Sequence, residues 1–346
     1  MNQPTTVRLL LIGAGQLGRR FAGVVARKHD ELMERYRLDL RLVGIADSQG
    51  SACNPNGLNG VAIEERKEAG GSVADMPHVG IAGMRGLDLI QTVDADVLCE
   101  ASPVHLDAGG EPGLSHVRLA LERGLHVSTP NKGPIVLAYR ELVALADRRG
   151  VQLRFDGTVA GGLPALALGT RDLRGAAIER IDAVPNLTTG FVLDRLAAGA
   201  SWETAIRDAR EAGALEGDGA WDLDGWDAAA KLAILAMTVL GVDADLRQIP
   251  RRGIRDVDLS WLREVCEEHR VRLLATALRT KGGDYELAVA PTPLPPDHLL
   301  GQLGSKEMGI VYHTDLFSSI SSVIEEASPL PSAASMLRDI LDIYCG

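Results

Sequence analysis

The chain has 346 residues, 46% of them hydrophobic and 24% charged, with a formal net charge of -11. That length exceeds one typical domain and the balance is that of ordinary globular cores, so about two domains are expected. The acidic surplus argues against a nucleic-acid binder, no apolar run nears the roughly 18 residues of a membrane span, and four scattered cysteines form no disulfide framework. The opening MNQPTTVRLLLIGAG has no charged segment ahead of an apolar one, so no secretory leader is expected, and the histidines show no metal spacing. The resulting expectation is a cytoplasmic protein that engages neither membrane nor nucleic acid.

The stretch VRLLLIGA, residues 7–14, is a continuous apolar run suited to a parallel strand buried on both faces. It feeds Gly13-Ala14-Gly15-Gln16-Leu17-Gly18, a GxGxxG, and then one long helical stretch, LGRRFAGVVARKHDELMERYR. The first glycine allows a tight turn, the second lets a pyrophosphate approach the backbone, and the third lets helix and strand close up. The helix N-terminus then offers N–H groups to the phosphates. Gly13, Gly15, Gln16, Leu17 and Gly18 are therefore candidate dinucleotide contacts. A second strand, LRLVGIAD, ends at Asp47. An acid there ordinarily takes the adenosine ribose hydroxyls and disfavours a 2'-phosphate. No arginine follows in Ser48-Gln49-Gly50, which favours NAD over NADP. The alternative is an Asp47 that only opens a turn.

Residues 50–90 are glycine-rich and polar, with a helix expected near IEERKEAGG. ADVLCEA then reads as a buried strand ending at Ser102-Pro103, at the strand end where ligands sit in open α/β sheets. Cys99 falls inside it and reads as core. The helix SHVRLALERG and the strand LHVSTP follow, delivering Asn131-Lys132-Gly133-Pro134 on a loop beside the cofactor crevice. A lysine there can meet a substrate, although such a lysine is more often simply solvated. The helix VLAYRELVALADRRG and the strand VQLRFDGTV complete an alternation that implies one doubly wound parallel sheet over residues 1–155.

Asp156-Gly157-Thr158-Val159-Ala160-Gly161-Gly162-Leu163-Pro164 is a glycine-dense crossover into a second domain over 156–320. That domain reads as α+β with an antiparallel sheet. Its pieces include the helix SWETAIRDAREAG, the strands LLATALRT and YELAVAP joined by a KGGD turn, and the strand-like GIVYHTD. Helices are expected through SSISSVIEE and SAASMLRDILDIY, the latter within a tail, 321–346, that returns to the cofactor domain. Within the second domain, EGDGAWDLDGWDAAAK sets five acids just ahead of, or inside, the start of an apolar helix, with Asp224 as its N-cap and Asp227 in its first turn. Asp227 and Lys231 are four apart and share one helix face. The bland reading is an exposed ion pair of little consequence. The unusually apolar helix instead puts Lys231 at the edge of a buried surface, where its contacts matter.

Set together, GAGQLG, TPNKGP, DGTVAGGLP, EGDGAWDLDGWDAAAKLAIL and GIVYHTDLFSSISSVIEEASPLPSAASMLRDIL resemble homoserine dehydrogenase, in the family's order and across nearly the whole chain. The resemblance implies a Rossmann cofactor domain, a substrate and dimerisation domain, and a homodimer. It also implies NAD(P)-dependent interconversion of L-homoserine and L-aspartate 4-semialdehyde, a step towards threonine and methionine. It resembles the short form, without a C-terminal ACT regulatory domain. Residue by residue, Lys132 and Lys231 match the two catalytic lysines, Asn131 precedes the first, and Glu216 matches the acid that holds the substrate amino group. Asp222 and Asp227 match the acids that fix the substrate and orient Lys231, and Thr188 matches a substrate-facing threonine. The crossover resembles a monovalent-cation site for sodium, with carbonyls near Val159 and Gly161 and Asp156 where a longer glutamate is common.

The sequence departs from the family pattern NGTTNY, reading Asn186-Leu187-Thr188-Thr189-Gly190-Phe191, and has Ala214 where an aromatic stands. Leu187 is poorly suited to a positive φ that a glycine could take. These changes keep two alternatives open: a sister oxidoreductase for another small aldehyde, alcohol or amino acid, and a cofactor-binding descendant without activity. A thiohemiacetal mechanism would need a reactive cysteine in the second domain, and Cys266, in the charged WLREVCEEHR, and the terminal Cys345 fit it poorly.

Overall fold

The computed structural model describes residues 3–215 and 217–346. The chain divides into two compact units, Met1–Gly162 with Ser328–Gly346, and Leu163–Ala327.

The first unit is built on β1 (Thr5–Ile12), β2 (Leu38–Ala46), β3 (Gly50–Cys53), β4 (Gly80–Ala82), β5 (Val97–Glu100), β6 (His126–Ser128) and β7 (Leu153–Arg154). They form one sheet in the order β4-β3-β2-β1-β5-β6-β7. β2, β1, β5, β6 and β7 run parallel, whereas β3 and β4 are antiparallel to their neighbours. The sheet is therefore mixed, and the polar stretch after Asp47 supplies two strands that sequence reading did not anticipate. The cause is local. The Asp47 carboxylate accepts from the Gln49 and Gly50 amides, an Asx turn that reverses the chain at once, and a tight reversal pairs strands antiparallel.

β1 shows why parallel strands read as unbroken apolar runs. Val7, Leu9 and Leu11 pack on one face with Phe21, Val25 and Ile63, and with Ala333, Met336 and Ile340 of the helix Leu330–Cys345. Leu10 and Ile12 pack on the other with Leu89, Leu98, Val117 and Leu142. Each such burial contributes about 1.5–3 kcal/mol. The long helical stretch is two helices, Gln16–Arg27 and His29–Tyr36, broken where Lys28 leaves helical geometry at φ -93, ψ 2. Cys99 is buried in the sheet, and burial drives its thiol well above its ordinary range, which makes it inert.

Asp339, on the helix Leu330–Cys345, is also buried and accepts from Ser128 Oγ at 2.8 Å. Burial, reinforced by the charge of Asp156, pushes its carboxyl from 3.8 up to about 8. The folded state thus holds a proton that the unfolded chain releases near 3.8. Stability is full below that value and declines as pH rises to about 8. Thermal unfolding followed from pH 5 to 9 should show a falling Tm that Asp339→Asn flattens. An unchanged slope in the variant would assign the decline to another group.

The second unit carries β8 (Ile178–Val184), β9 (Arg270–Arg279), β10 (Tyr285–Leu294), β11 (Glu307–Thr314) and β12 (Ser318–Glu325), an antiparallel sheet in the order β10-β9-β8-β11-β12. β12 corrects an expectation, since SSISSVIE is a strand and not a helix. Ile320, Ser322 and Ile324 are partly buried while their neighbours are exposed, a period of two, and β-branched residues suit that geometry. The helix Trp226–Leu235 buries Ala228, Ala229 and Ala230 and then Leu232 through Leu235, so it is apolar nearly all round. Its N-cap is Gly225 at φ 79 and not Asp224, which instead closes the preceding turn Ala220–Leu223 and pairs with Arg255 at 2.8 Å.

Candidate active site

The residues expected to hold a cofactor lie in the first unit. Gly13 sits at φ +96, and a Cβ built there would lie 2.3 Å from the Ala101 carbonyl oxygen. A Cβ on Gly18 would lie 1.8 Å from the Gly13 carbonyl oxygen, whereas one on Gly15 would meet nothing within 4 Å. Two glycines thus allow close backbone approach and the third leaves open space at the N-cap of the helix Gln16–Arg27, where a phosphate would come. Gln16 and Leu17 open that helix.

Asp47 directly follows β2, one residue beyond the strand end where the sequence places it, and its carboxylate is already filled from within the fold. Lys67 Nζ donates to it at 2.7 Å, Ser72 Oγ at 2.9 Å and the Val73 amide at 3.1 Å, in addition to the Asx turn. A carboxylate has about four acceptor sites, so a ribose hydroxyl would have to displace one of these donors. Burial raises the Asp47 carboxyl and these hydrogen bonds outweigh it, leaving it below its ordinary value and ionised.

At the ends of β5 and β6, the fully buried Glu100 accepts from the Ser102 amide at 3.1 Å and from Thr129 Oγ1 at 3.3 Å. Thr129 Oγ1 in turn accepts from the Asn131 amide at 3.0 Å, and Asn131 Nδ2 donates to the Ser102 carbonyl at 3.3 Å. Asn131 Oδ1 caps the helix Lys132–Arg149 by accepting from Gly133 N. Lys132 is therefore the first residue of a capped helix and not a loop residue, and Ser102 belongs to the network that sets its position. Pro103 follows on the surface. Glu100 was not foreseen, because a lone acid in an apolar strand gives no signal until its partners are seen.

The crossover runs through Asp156–Thr158 and then Ala160 and Gly161, both at positive φ (56 and 60). The buried Asp156 carboxylate forms an ion pair with Arg338 Nη2, while Arg338 Nη1 donates to the Gly162 carbonyl at 3.2 Å. A guanidinium thus already pairs with Asp156, the acid expected to stand with the Val159 and Gly161 carbonyls around sodium. Among the described residues, no group of three or more His, Cys, Asp or Glu could hold a metal ion.

Lys231, Asp227, Asp222 and Thr188 lie in the second unit. Lys231 Nζ donates to Asp227 Oδ2 at 2.8 Å and to the Pro185 carbonyl at 2.6 Å. The two side chains are only 13% and 8% exposed, so the pair is not the loose surface bridge of the bland reading. Asn186 Nδ2 donates to Asp222 Oδ1 at 2.6 Å and to Asp227 Oδ2 at 2.7 Å, joining both acids. Asn186 Oδ1 caps the helix Leu187–Ala197 by accepting from Thr189 N, and Thr188 Oγ1 donates to the Ala214 carbonyl. Leu187 is helical, so the positive φ that would have disfavoured it does not arise, and a Cβ at Gly190 would meet only open space. Glu216 lies outside the described residues. Asn186 is the residue whose weight the sequence concealed: neither its N-cap position nor its bridging of Asp222 and Asp227 was foreseen.

The homoserine dehydrogenase family pattern matches residues 164–341. A homoserine dehydrogenase of Methanocaldococcus jannaschii is 32% identical over 337 residues, covering 97% of this chain and 98% of that protein. The chain belongs to the homoserine dehydrogenase family. An NAD(+)-dependent homoserine dehydrogenase of Pseudomonas canavaninivorans is 29% identical, over 98% of this chain and 97% of that protein. A hyperthermophilic archaeal homoserine dehydrogenase solved in complex with NADPH aligns with a TM-score of 0.84 at 26% identity, over 98% of each chain. Membership makes the chain an NAD(P)-dependent oxidoreductase of the homoserine and aspartate semialdehyde couple. Among the described residues no helix is long and apolar enough to cross a membrane.

Proposed function

We propose that Lys231 is the acid/base of this reaction and that NAD is the preferred cofactor. The observation that carries the first part is the double anchoring of Lys231 Nζ by Asp227 and the Pro185 carbonyl, which leaves one N–H direction of the ammonium for a substrate oxygen. When bound, the nicotinamide accepts or returns the hydride at the carbon bearing the homoserine hydroxyl. In the reductive direction negative charge grows on the aldehyde oxygen, and the Lys231 ammonium stabilises it and supplies the proton. In the oxidative direction the neutral amine takes the hydroxyl proton. Asp227, itself held by Asn186, orients the amine. Asp222 and Glu216 are assigned to the substrate ammonium, Thr188 to the substrate, and Lys132, at the start of its helix, is assigned as the second catalytic lysine.

NAD preference is supported by the ionised Asp47 at the end of β2 and by the commitment of Lys67 to it, since a 2'-phosphate entering there meets a carboxylate. The ratio of kcat/KM for NAD over NADP, measured with L-homoserine in excess, should exceed 10 on the order-of-magnitude scale of one unfavourable charge contact. A ratio below one would assign the pocket to NADP. The exposed Leu316 and Phe317, at the turn between β11 and β12, support a homodimer through the second unit, and the cytoplasm remains the compartment proposed.

A further inference from the structure

We propose that Arg338 is a built-in replacement for a monovalent cation at the crossover turn, so that this chain neither needs nor takes sodium or potassium there. The inference goes beyond the reaction and holds whichever substrate the second unit accepts. A small cation at such a turn would have two tasks: to neutralise the buried Asp156 carboxylate and to hold a backbone oxygen of the turn, such as that of Gly162. Arg338 performs both. One Nη meets Asp156 and the other meets the Gly162 carbonyl, so the planar fork spans acid and backbone together. Its Nε is buried and makes no hydrogen bond among the described residues, so the guanidinium is held by its two terminal nitrogens. It is also covalently tethered to the helix Leu330–Cys345, so it occupies the turn at any salt concentration. A metal ion arriving at Asp156 would meet a like charge within a few ångströms, and that repulsion is strong in a partly buried setting.

The test is thermal unfolding of the full chain in sodium, potassium or choline chloride at equal ionic strength, for the parent, Arg338→Lys and Arg338→Met. The parent and Arg338→Lys should melt at the same temperature in all three salts. Arg338→Met, which keeps the stem and removes the charge, should melt several degrees lower in choline chloride and recover saturably with sodium or potassium. A saturable rise in the parent's Tm with either metal ion over choline would overturn the proposal. So would an Arg338→Met loss that neither ion repairs, or no loss at all. If Arg338→Met does not fold, the parent and Arg338→Lys still decide the question, because metal-specific stabilisation of the parent contradicts it alone.

Discussion

Replacing Lys231 with methionine is expected to lower kcat for homoserine oxidation by about 10²–10⁴-fold, the span of a lost proton-transfer group. Methionine matches the lysine stem in length, so the surrounding Ala228, Leu232 and Leu235 keep their packing. The loss leaves the Asp227 carboxylate with the Asn186 amide and without its ammonium, and the Pro185 carbonyl without its donor. Some fall in Tm should therefore accompany it, since removing one partner of a buried pair is costly. Two further readouts separate chemistry from stability. Cofactor affinity, followed by NADH fluorescence, should be unchanged. Lys231→Arg, which keeps the charge and can keep the pair but cannot act as a base near neutral pH, should remain slow. Near-normal turnover in Lys231→Met would move the acid/base role elsewhere, with Lys132 the first candidate.

Gly18→Ala should abolish measurable cofactor binding and destabilise the first unit together. The added Cβ would lie 1.8 Å from the Gly13 carbonyl oxygen, a backbone atom that cannot swing aside, so either the helix Gln16–Arg27 or the glycine turn must move. Overpacking of this kind costs roughly 1–3 kcal/mol, or several degrees of Tm. Gly15→Ala is the informative contrast. Its Cβ meets nothing in the fold, so Tm should hold while cofactor affinity falls, because the methyl occupies the approach of the pyrophosphate. Titration of NADH fluorescence beside calorimetry distinguishes the two. Equal loss of stability in both variants would mean that the loop serves folding and not the cofactor.

The legible parts of this chain were those where local chemistry and fold agree. An apolar run, GxGxxG and an amphipathic helix can satisfy one another in few other ways, and the contacts of Gly13 and Gly18 show why those two stand where they do. Asp227 and Lys231 were legible as a pair because four residues is one helical turn. What stayed hidden depended on partners remote in sequence. Asn186 gains its weight only when Asp222 and Asp227 fold against it, 36 and 41 residues away. Arg338 reaches Asp156 across 182 residues, so nothing near the crossover announces that its charge is already met. Asp47 was read for its usual partner at the end of a second strand, and its competitors Lys67, Ser72 and Val73 lie beyond the local window. β12 was misread because serine is neutral in short helices, and its period of two is visible only against β11, which it pairs along its whole length.

The most direct test of the account is absorbance at 340 nm with purified protein, supplied first with L-homoserine and NAD or NADP, then with L-aspartate 4-semialdehyde and the reduced cofactors. Turnover of about 1 per second or more in both directions, ordinary for an enzyme, is the predicted result. Cofactor binding without turnover of either substrate would contradict it, and would mean that the pocket around Leu187, Gly190 and Ala214 serves a different small molecule.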